Sequence, residues 1–321
     1  MTYLRQKPEW PSFNWSSSAL LELLVKARFE QGRLLSLESS FVHSFEISDI
    51  KRALYEDLID LGPVAARLDN TGSPGVSSRE LSQERLAGWQ ASLFPTGFSG
   101  VKKIKIAELR PAEVKNKDLL GSSLPQKNLQ EELDKYLHWW KEPPVELDPV
   151  IRSGLAFFWF LIVSPYEDGN FELASALSEL ALQENEKTPT RLYDISFQLA
   201  ENKADVLQKV EKIAKGSGDI TEWILFYLGQ YIVAVTAAFT IADKIQKSEK
   251  FWKKFSAFDL NMRQRKILNL MLEENQQMSN RGYVELCNTS RESAKRDLAE
   301  LVKFGILKTG DKKGRSIIYF L

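Results

Sequence analysis

The sequence predicts a mainly helical protein that carries a small β-hairpin and ends in a domain of helices and strands. Three observations support this fold class. Apolar residues recur at helical spacing through the first three quarters of the chain, and one short segment alternates apolar residues with lysines. From residue 257 onward, helical segments give way to β-type runs around a Lys/Gly turn. With 43% apolar residues among 321, the chain can build a large core.

The N-terminal part is predicted to be a helical extension over residues 1–80. Ser16 to Ser18 are candidate caps for a long helix over 19–41, in which leucines recur on one face. A second helix is expected over 49–61, and the Asp/Asn/Gly/Ser/Pro-rich stretch 69–78 is typical of a loop.

The core is predicted over residues 81–250 and begins with a helix over 81–94. The next segment, 101–106, alternates Ile104 and Ile106 with lysines, which indicates one strand of a hairpin, here called the flap. Helical patterns then cover 129–141, 148–163, 170–183, 192–199, 204–214 and 220–247. The uncharged run Trp223 to Ala242 has the length of a membrane span, but a central helix buried on all sides gives the same pattern, and we favour that interpretation.

The C-terminal residues 257–321 follow the order of a winged helix-turn-helix domain. Helices are predicted over 261–274, 281–287 and 290–304, followed by strands over 306–309 and 316–321. This region has twelve Lys/Arg against eight Asp/Glu. Candidate contacts to DNA phosphates are Arg291, Lys295, Arg296, Lys312, Lys313 and Arg315. A scaffolding or dimerising domain with an ordinary solvated face remains an equal alternative.

Composition narrows the classes of function. Acidic and basic residues balance at 43 each, so no broad field directs the molecule to nucleic acid or membranes. The single Cys287 excludes an internal disulfide and multi-cysteine metal sites, and with only His43 and His138, metal binding through histidine is not expected. The first residues contain no apolar run typical of a secretory signal. We therefore expect a soluble cytoplasmic protein, with no membrane partner.

The most informative stretch lies between the helices over 148–163 and 170–183, and reads Ser-Pro-Tyr-Glu-Asp-Gly-Asn-Phe-Glu-Leu-Ala-Ser from Ser164. Taken alone it is a turn followed by a helix cap: Asp168-Gly169 reverse the chain, Asn170 caps the next helix, and Glu172 suits a helix N-terminus.

This stretch nevertheless resembles the Fic signature His-Pro-Phe-x-Asp-Gly-Asn-Gly-Arg-x-x-Arg. Further similarities to multi-domain bacterial Fic proteins are the Trp10-Pro11-x-Phe-x-Trp opening, the Glu30 to Leu35 segment, Leu93 to Gly97 and Asn261 to Lys266. The resemblance covers essentially the full length. It implies a Fic-type helical core with a flap, and relation to enzymes that transfer AMP from ATP to protein hydroxyls.

The resemblance assigns chemical roles that this chain fills only in part. In Fic proteins the histidine is the general base, the acidic residue holds Mg²⁺, and the second glycine and the arginines receive phosphate. Asp168, Gly169 and Asn170 match. Ser164 replaces the histidine, Phe171 replaces the second glycine, and Glu172 and Ser175 replace the arginines. The inhibitory Ser-x-x-x-Glu-Gly helix corresponds to Ser44 to Asp49, with Ser48 at the glutamate position; in an alternative register, Glu46 takes that role. Val206-Leu207 replace a tyrosine pair of the nucleotide pocket.

Three hypotheses follow. The first is a catalytically silent Fic fold that serves as a regulatory or binding module, needs no cofactor, and keeps a protein partner at the flap. The second is a transferase with altered chemistry, in which Asp168 and Asn170 hold Mg-ATP and Glu167 or Glu172 acts as base. The third is a transcriptional regulator that binds DNA through the C-terminal domain. The oligomeric state is not predicted.

Overall fold

The computed structural model describes residue 4 and residues 10–41, 80–111, 126–186, 193–274, 277–310 and 317–321. Several predicted features lie outside these residues: the helix over 49–61, the loop over 69–78, the stretch 44–49, and Lys312, Lys313 and Arg315. The chain forms two compact units, Met1–Phe239 and Thr240–Leu321.

The described residues of the first unit form helices and one short hairpin. The elements are α1 (Ser17–Phe41), α2 (Gln83–Leu93), β1 (Phe98–Ser99), β2 (Lys102–Lys103), α3 (Gln126–Lys141), α4 (Pro149–Val163), α5 (Asn170–Glu186), α6 (Ile195–Glu201), α7 (Lys203–Ala214) and α8 (Thr221–Lys254). The boundary between the units falls inside α8. The predicted helices occur within a few residues of their expected bounds, except that α8 continues to Lys254. The strand predicted over 101–106 is shorter, because only Lys102 and Lys103 pair with β1.

Helix α4 lies at the centre of the first unit and packs against α3, α5 and α7. Asp148 caps it by accepting hydrogen bonds from the backbone N–H groups of Val150 and Ile151, and Pro149 stands in its first turn, where a missing N–H costs nothing. Nearly every residue of α4 is buried. This burial fits its almost uninterrupted apolar sequence, and it places the end of α4 inside the protein.

Three hydroxyl groups join α4 to α5 and α8. The Ser153 Oγ lies 2.6 Å from the Tyr227 hydroxyl and 2.9 Å from the Ser178 Oγ, and the Ser178 Oγ lies 2.6 Å from Tyr227. Next to them, a Cβ on Gly154 would come within 2.8 Å of the Tyr227 ring. Glycine is therefore required for this close helix contact, and the buried hydroxyls are satisfied by each other.

Helix α8 is long and apolar enough, by length and composition, to cross a membrane, and no other helix in the described ranges is. In the first unit its aromatic residues Trp223, Tyr227 and Tyr231 are fully buried, and the Trp223 indole donates a 2.8 Å hydrogen bond to the Gly154 carbonyl. Val233 on another side is 49% exposed. The prediction of burial on all sides is therefore wrong: in the first unit α8 buries one side, as a helix at the edge of a core does.

The second unit alternates helices and short strands around its own core. After the end of α8 come α9 (Met262–Glu274), β3 (Met278–Ser279), α10 (Asn280–Cys287), α11 (Arg291–Lys303), β4 (Lys308–Thr309) and β5 (Ile318–Phe320). The strands form one antiparallel sheet in the order β3-β5-β4. The last turn of α8 packs against this core through Phe251 and Trp252. Strand β3 was not predicted. The assignment as a winged helix stays a prediction, because all but Gly310 of the proposed wing, Gly310 to Arg315, lies outside the described residues.

Candidate functional site

The loop between α4 and α5 begins at Ser164, which ends α4 in a left-handed conformation with φ 42°. Its backbone N–H donates to the Phe160 carbonyl at 2.8 Å, and its hydroxyl donates to the Leu161 carbonyl. The residue is 3% exposed. The side chain at the position of the family histidine therefore points back onto its own helix, and its proton is already used in a hydrogen bond.

Asn170 and Gly169 fix the shape of the loop. The Asn170 side chain accepts a hydrogen bond from the Tyr166 N–H at 3.0 Å and donates one to the Tyr166 carbonyl at 2.8 Å. Gly169 has φ 83°, and a Cβ there would come within 2.8 Å of the Phe94 ring. Glycine is needed for both reasons. The turn predicted from Asp168-Gly169-Asn170 is thus present, and the Leu93-Phe94 segment packs directly against it.

Two further loop residues are buried. Burial raises the pKa of the Tyr166 phenol, whose oxygen has no hydrogen-bond partner among the described residues. Glu167 is 8% exposed. On α5, Ser175 is also buried, and its Oγ has no partner in the described part of the chain.

The first turn of α5 carries the residues that depart most from the family signature. Phe171 is 2% exposed and packs edge-on against Phe157, with ring centroids 5.5 Å apart. Glu172 forms an ion pair with Lys203 of α7 at 3.2 Å, and the Lys203 ammonium lies 4.7 Å from the Phe171 ring centroid. The charge reversal at Glu172 is thus compensated inside the protein. Lys203 was not anticipated from the sequence, because nothing local links it to a residue 31 positions earlier.

The flap lies against this loop. The Ser99 hydroxyl of β1 donates a 2.6 Å hydrogen bond to Oδ2 of Asp168, while Oδ1 of Asp168 accepts the Gly169 N–H at 2.8 Å. Ile104 is 6% exposed and its N–H donates to the Gly97 carbonyl at 3.1 Å, whereas Ile106 is half-buried. The expectation that both isoleucines belong to an exposed strand is therefore wrong. Ile104 comes directly after β2, and its side chain is buried in the core.

Two buried polar side chains fix the segment after the flap. The Gln90 amide of α2 accepts the Ala107 N–H at 2.7 Å and donates to the Lys105 carbonyl at 3.4 Å. Arg110 is 1% exposed, its Nε donates to the Ser164 carbonyl at 2.7 Å, and its backbone N–H donates to the Pro165 carbonyl at 2.9 Å. Sequence reasoning missed both residues. Nothing in the sequence next to Gln90 or Arg110 indicates that these polar side chains are buried.

The candidate DNA contacts described by the structure lie on α11. Arg291, Lys295 and Arg296 are exposed, and none of them forms an ion pair with another described residue. Asp297 on the same helix points inward. It accepts hydrogen bonds from Arg263 at 2.8 Å and Tyr283 at 2.9 Å.

The electrostatics of Asp297 follow from these bonds. Burial alone would raise its pKa, but the hydrogen bonds from Arg263, Tyr283 and Asn261 outweigh burial and lower it. The carboxylate therefore stays charged, and its hydrogen bonds join α9, α10 and α11. These bonds fix the position of α11, which carries the exposed cations on its outer side.

Among the described residues, no group of three or more His, Cys, Asp or Glu side chains is placed to hold a metal ion. At the loop, Asp168 is the acidic residue that the family signature assigns to a metal, and both of its oxygens accept hydrogen bonds from the protein.

The comparisons with known proteins bear on the fold. A family model described as a domain of unknown function (DUF4172) matches residues 3–61. No curated protein matches the chain. Among solved structures, a Fic family protein from Desulfovibrio desulfuricans G20 is 12% identical with a TM-score of 0.54, over 97% of this chain and 98% of that one.

Two further solved structures are similar over part of the chain. A Fic domain containing signaling protein from Bacteroides thetaiotaomicron VPI-5482 is 15% identical with a TM-score of 0.45, over 70% of this chain and 97% of that one. Fic-1 (aa134–508) from C. elegans is 14% identical with a TM-score of 0.40, over 73% and 68%. The full-length likeness to the Desulfovibrio protein shows the fold: a Fic-type, mainly helical architecture.

Proposed function

We propose that this chain, which has the Fic fold, is a non-catalytic protein-binding module of the cytoplasm. The observation that carries the proposal is the state of Ser164. A serine hydroxyl is far too weak a base near neutral pH to take a proton from an attacking hydroxyl, and here its own proton is committed to the Leu161 carbonyl. The step that defines transfer to a protein hydroxyl therefore lacks its base.

Magnesium-bound ATP does not fit the residues of the loop. Each oxygen of Asp168 already accepts one hydrogen bond, from the Ser99 hydroxyl or from the Gly169 N–H, so only its remaining lone pairs could hold a metal ion. The Phe171 ring stands where the family has a glycine, and its burial against Phe157 ties it to the core. A glycine at this position lets the backbone approach a phosphate closely, and Phe171 removes that freedom at the α5 N-terminus.

The carboxylate of Glu172 places a negative charge of the protein itself at the N-terminus of α5. The carboxylate lies in the first turn of α5, where the helix dipole favours negative charge, and Lys203 neutralises it. Both side chains are about a third exposed, so solvent screens the pair and its contribution is about 0.5 kcal/mol. Its main effect is on ligand choice: Lys203, the cation beside the first turn of α5, is already paired with a carboxylate.

The part of the site that stays available is the flap. Ser99, Gln90 and Arg110 hold the hairpin and the following segment against the loop and α2. A strand held in advance loses little conformational entropy when a partner segment pairs with it. We therefore propose an extended protein segment as the ligand, bound along the hairpin edge.

Two measurements on the purified chain test this proposal. We expect no AMP transfer to the chain or to lysate proteins from labelled ATP. We also expect an unchanged melting temperature in Mg-ATP, because a ligand that binds only the native state must raise it. A rise in melting temperature together with labelling would instead support the transferase with altered chemistry, in which Glu167 or Glu172 acts as base.

A second candidate function, DNA binding by the second unit, is favoured by the cations of α11. Some cations of the described residues are ion-paired, for example Arg281 with Glu285 and Lys212 with Glu222. Arg291, Lys295 and Arg296 are not ion-paired with another described residue, and they share one helix on a charge-balanced chain. We propose that they contact phosphates, with Lys312, Lys313 and Arg315 as further candidates.

A further inference from the structure

Helix α1 buries one side and shows a second apolar stripe on the opposite side. The buried side carries Leu20, Ala27 and Leu34, each at most 1% exposed. At 100° per residue, Leu21, Val25 and Phe29 lie on the far side of the helix, one above the other. They are 62%, 60% and 63% exposed. A helix needs only one apolar side to pack in its own unit, and no packing among the described residues of the first unit accounts for this second stripe.

We propose that this stripe is the contact surface between two copies of the chain, packed antiparallel through α1. The charges beside it indicate this partner. Glu22 and Lys26 follow Leu21 and Val25 on one flank, are exposed, and form no ion pair with another described residue. A second copy of the chain places its own apolar stripe against this one. It also places an opposite charge beside Glu22 and beside Lys26.

The orientation follows from the single flank that carries these charges. In an antiparallel pair, the same flank of each helix lies side by side. Glu22 of one copy then lies beside Lys26 of the other copy, and Lys26 of the first lies beside Glu22 of the second. In a parallel pair, this flank would meet the opposite flank, which carries Arg28, and Arg28 is already paired with Asp148 at 2.8 Å. With the two-fold axis near Val25, Phe29 of each copy packs against Leu21 of the other. The proposal is independent of the proposed function at the loop and flap.

Sedimentation velocity of the full chain over a range of concentrations tests the proposal. We expect a dimer for the wild type and a monomer for Val25→Glu, with the same helical content by circular dichroism and a lower melting temperature, because association stabilises the native state. Val145→Glu is the matched control, because Val145 is also an exposed valine but lies outside α1. It should leave the dimer intact. A monomeric wild type, or a dimer that survives Val25→Glu, overturns the proposal.

A charge exchange separates a second copy from any other occupant of the stripe. Glu22→Lys alone should weaken the dimer by about tenfold, because two attractive pairs become repulsive. The double variant Glu22→Lys/Lys26→Glu restores both pairs and should return the dissociation constant close to that of the wild type. If the single and double variants weaken association equally, or if neither changes it, the antiparallel contact is overturned. In that case the stripe is covered by another protein or another segment of the chain.

Discussion

The hydroxyl of Ser99 donates a 2.6 Å hydrogen bond to the carboxylate of Asp168, and this bond ties the flap to a loop 69 residues later in the chain. The acceptor is the residue that the family signature assigns to magnesium. This hydrogen bond therefore holds the flap against the loop. It also uses one lone pair of the acidic residue of the site.

Removal of this hydroxyl should loosen the flap. A hydrogen bond to a carboxylate contributes roughly 1–2 kcal/mol, so Ser99→Ala should raise the opening equilibrium of the hairpin by about tenfold. Hydrogen exchange of residues 98–103 measures this change. Ser92→Ala is the control, because its hydroxyl bonds only to the Gly88 carbonyl inside α2. Equal exchange in the wild type and Ser99→Ala would show that Gln90 and Arg110 hold the flap without this bond.

Restoration of histidine alone should not create an AMP transferase. Histidine tolerates the left-handed conformation at Ser164, so Ser164→His should fold. Phe171 and Glu172 still oppose a triphosphate, and we expect no labelling from ATP. Clear labelling by Ser164→His would contradict the proposal that Phe171 and Glu172 prevent ATP from binding.

A multiple variant tests the same point from the other side. Adding Phe171→Gly and Glu172→Arg to Ser164→His restores the family pattern at three positions. The loss of the buried Phe171 ring should cost about 3–5 kcal/mol, so folding must be checked first. If the triple variant folds, a gain of labelling over Ser164→His would show that the two departures, and not the rest of the pocket, exclude ATP.

The sequence was sufficient to predict the helices and the turn, because these depend on local periodicity and on residues next to each other. The predicted capping role of Asn170 is wrong: Asn170 is the first residue of α5, and its side chain bonds to the backbone of Tyr166 in the loop. Ser99, Gln90, Arg110 and Lys203 were not predicted as part of the site. Each acts through a partner far away in the chain, and such pairs leave no spacing pattern. The flap strand was overestimated for a related reason: alternation in 101–106 resembles an edge strand, but Ile104 is drawn into the core and ends the pairing.

The half-buried Glu186 should contribute more to the stability of the first unit in mild acid than at neutral pH. Burial raises the pKa of Glu186 above its usual 4.5, although hydrogen bonds from Tyr193 and Gln31 and the charge of Arg28 partly oppose this. The folded state then binds the proton more tightly than the unfolded state. The contribution of Glu186 to the free energy of unfolding is therefore highest below pH 4.5 and falls as pH rises through the folded-state pKa.

Glu186→Gln should remove this part of the pH dependence. Urea unfolding followed by tryptophan fluorescence from pH 4 to pH 7 measures it, and the free energy of unfolding of the variant should fall less over that range than that of the wild type. Glu131→Gln is the control, since Glu131 is an exposed carboxylate on α3. Parallel pH profiles for Glu186→Gln and the wild type would contradict the assigned cause.

If the second unit binds DNA, its affinity should fall steeply with salt. The log–log slope is about −0.9 per phosphate contact, so Arg296→Ala should make the slope less negative by about one unit. Fluorescence anisotropy with mixed duplexes measures the slope. Arg281→Ala removes the same charge from a cation that is already paired with Glu285, and should leave the slope unchanged. No binding at low salt, or equal effects of the two variants, would favour a scaffolding role for this unit.

The last prediction concerns the outward edge of the flap. The N–H of Ile104 bonds to the Gly97 carbonyl inside the hairpin, and Phe98 is the next residue, opposite Lys103. Because antiparallel pairs alternate, the backbone N–H and C=O of Lys103 point away from β1 and are available to a partner strand. Lys103→Pro removes this outward donor without breaking the ladder, whereas Ile104→Pro would break the hairpin itself.

Lys103→Ala is the matched control, because it removes the same charge and keeps the N–H. We expect a photo-crosslinker placed at Val101, which is fully exposed at the hairpin tip, to capture a protein from lysate in the wild type and in Lys103→Ala. Capture should fall by about tenfold in Lys103→Pro, since one or two main-chain hydrogen bonds and the strand geometry are lost. Melting temperatures must match for the comparison to hold. Equal capture by both variants would mean that the lysines only protect the edge from aggregation, and that the partner, if retained, is held by side chains rather than by main-chain pairing.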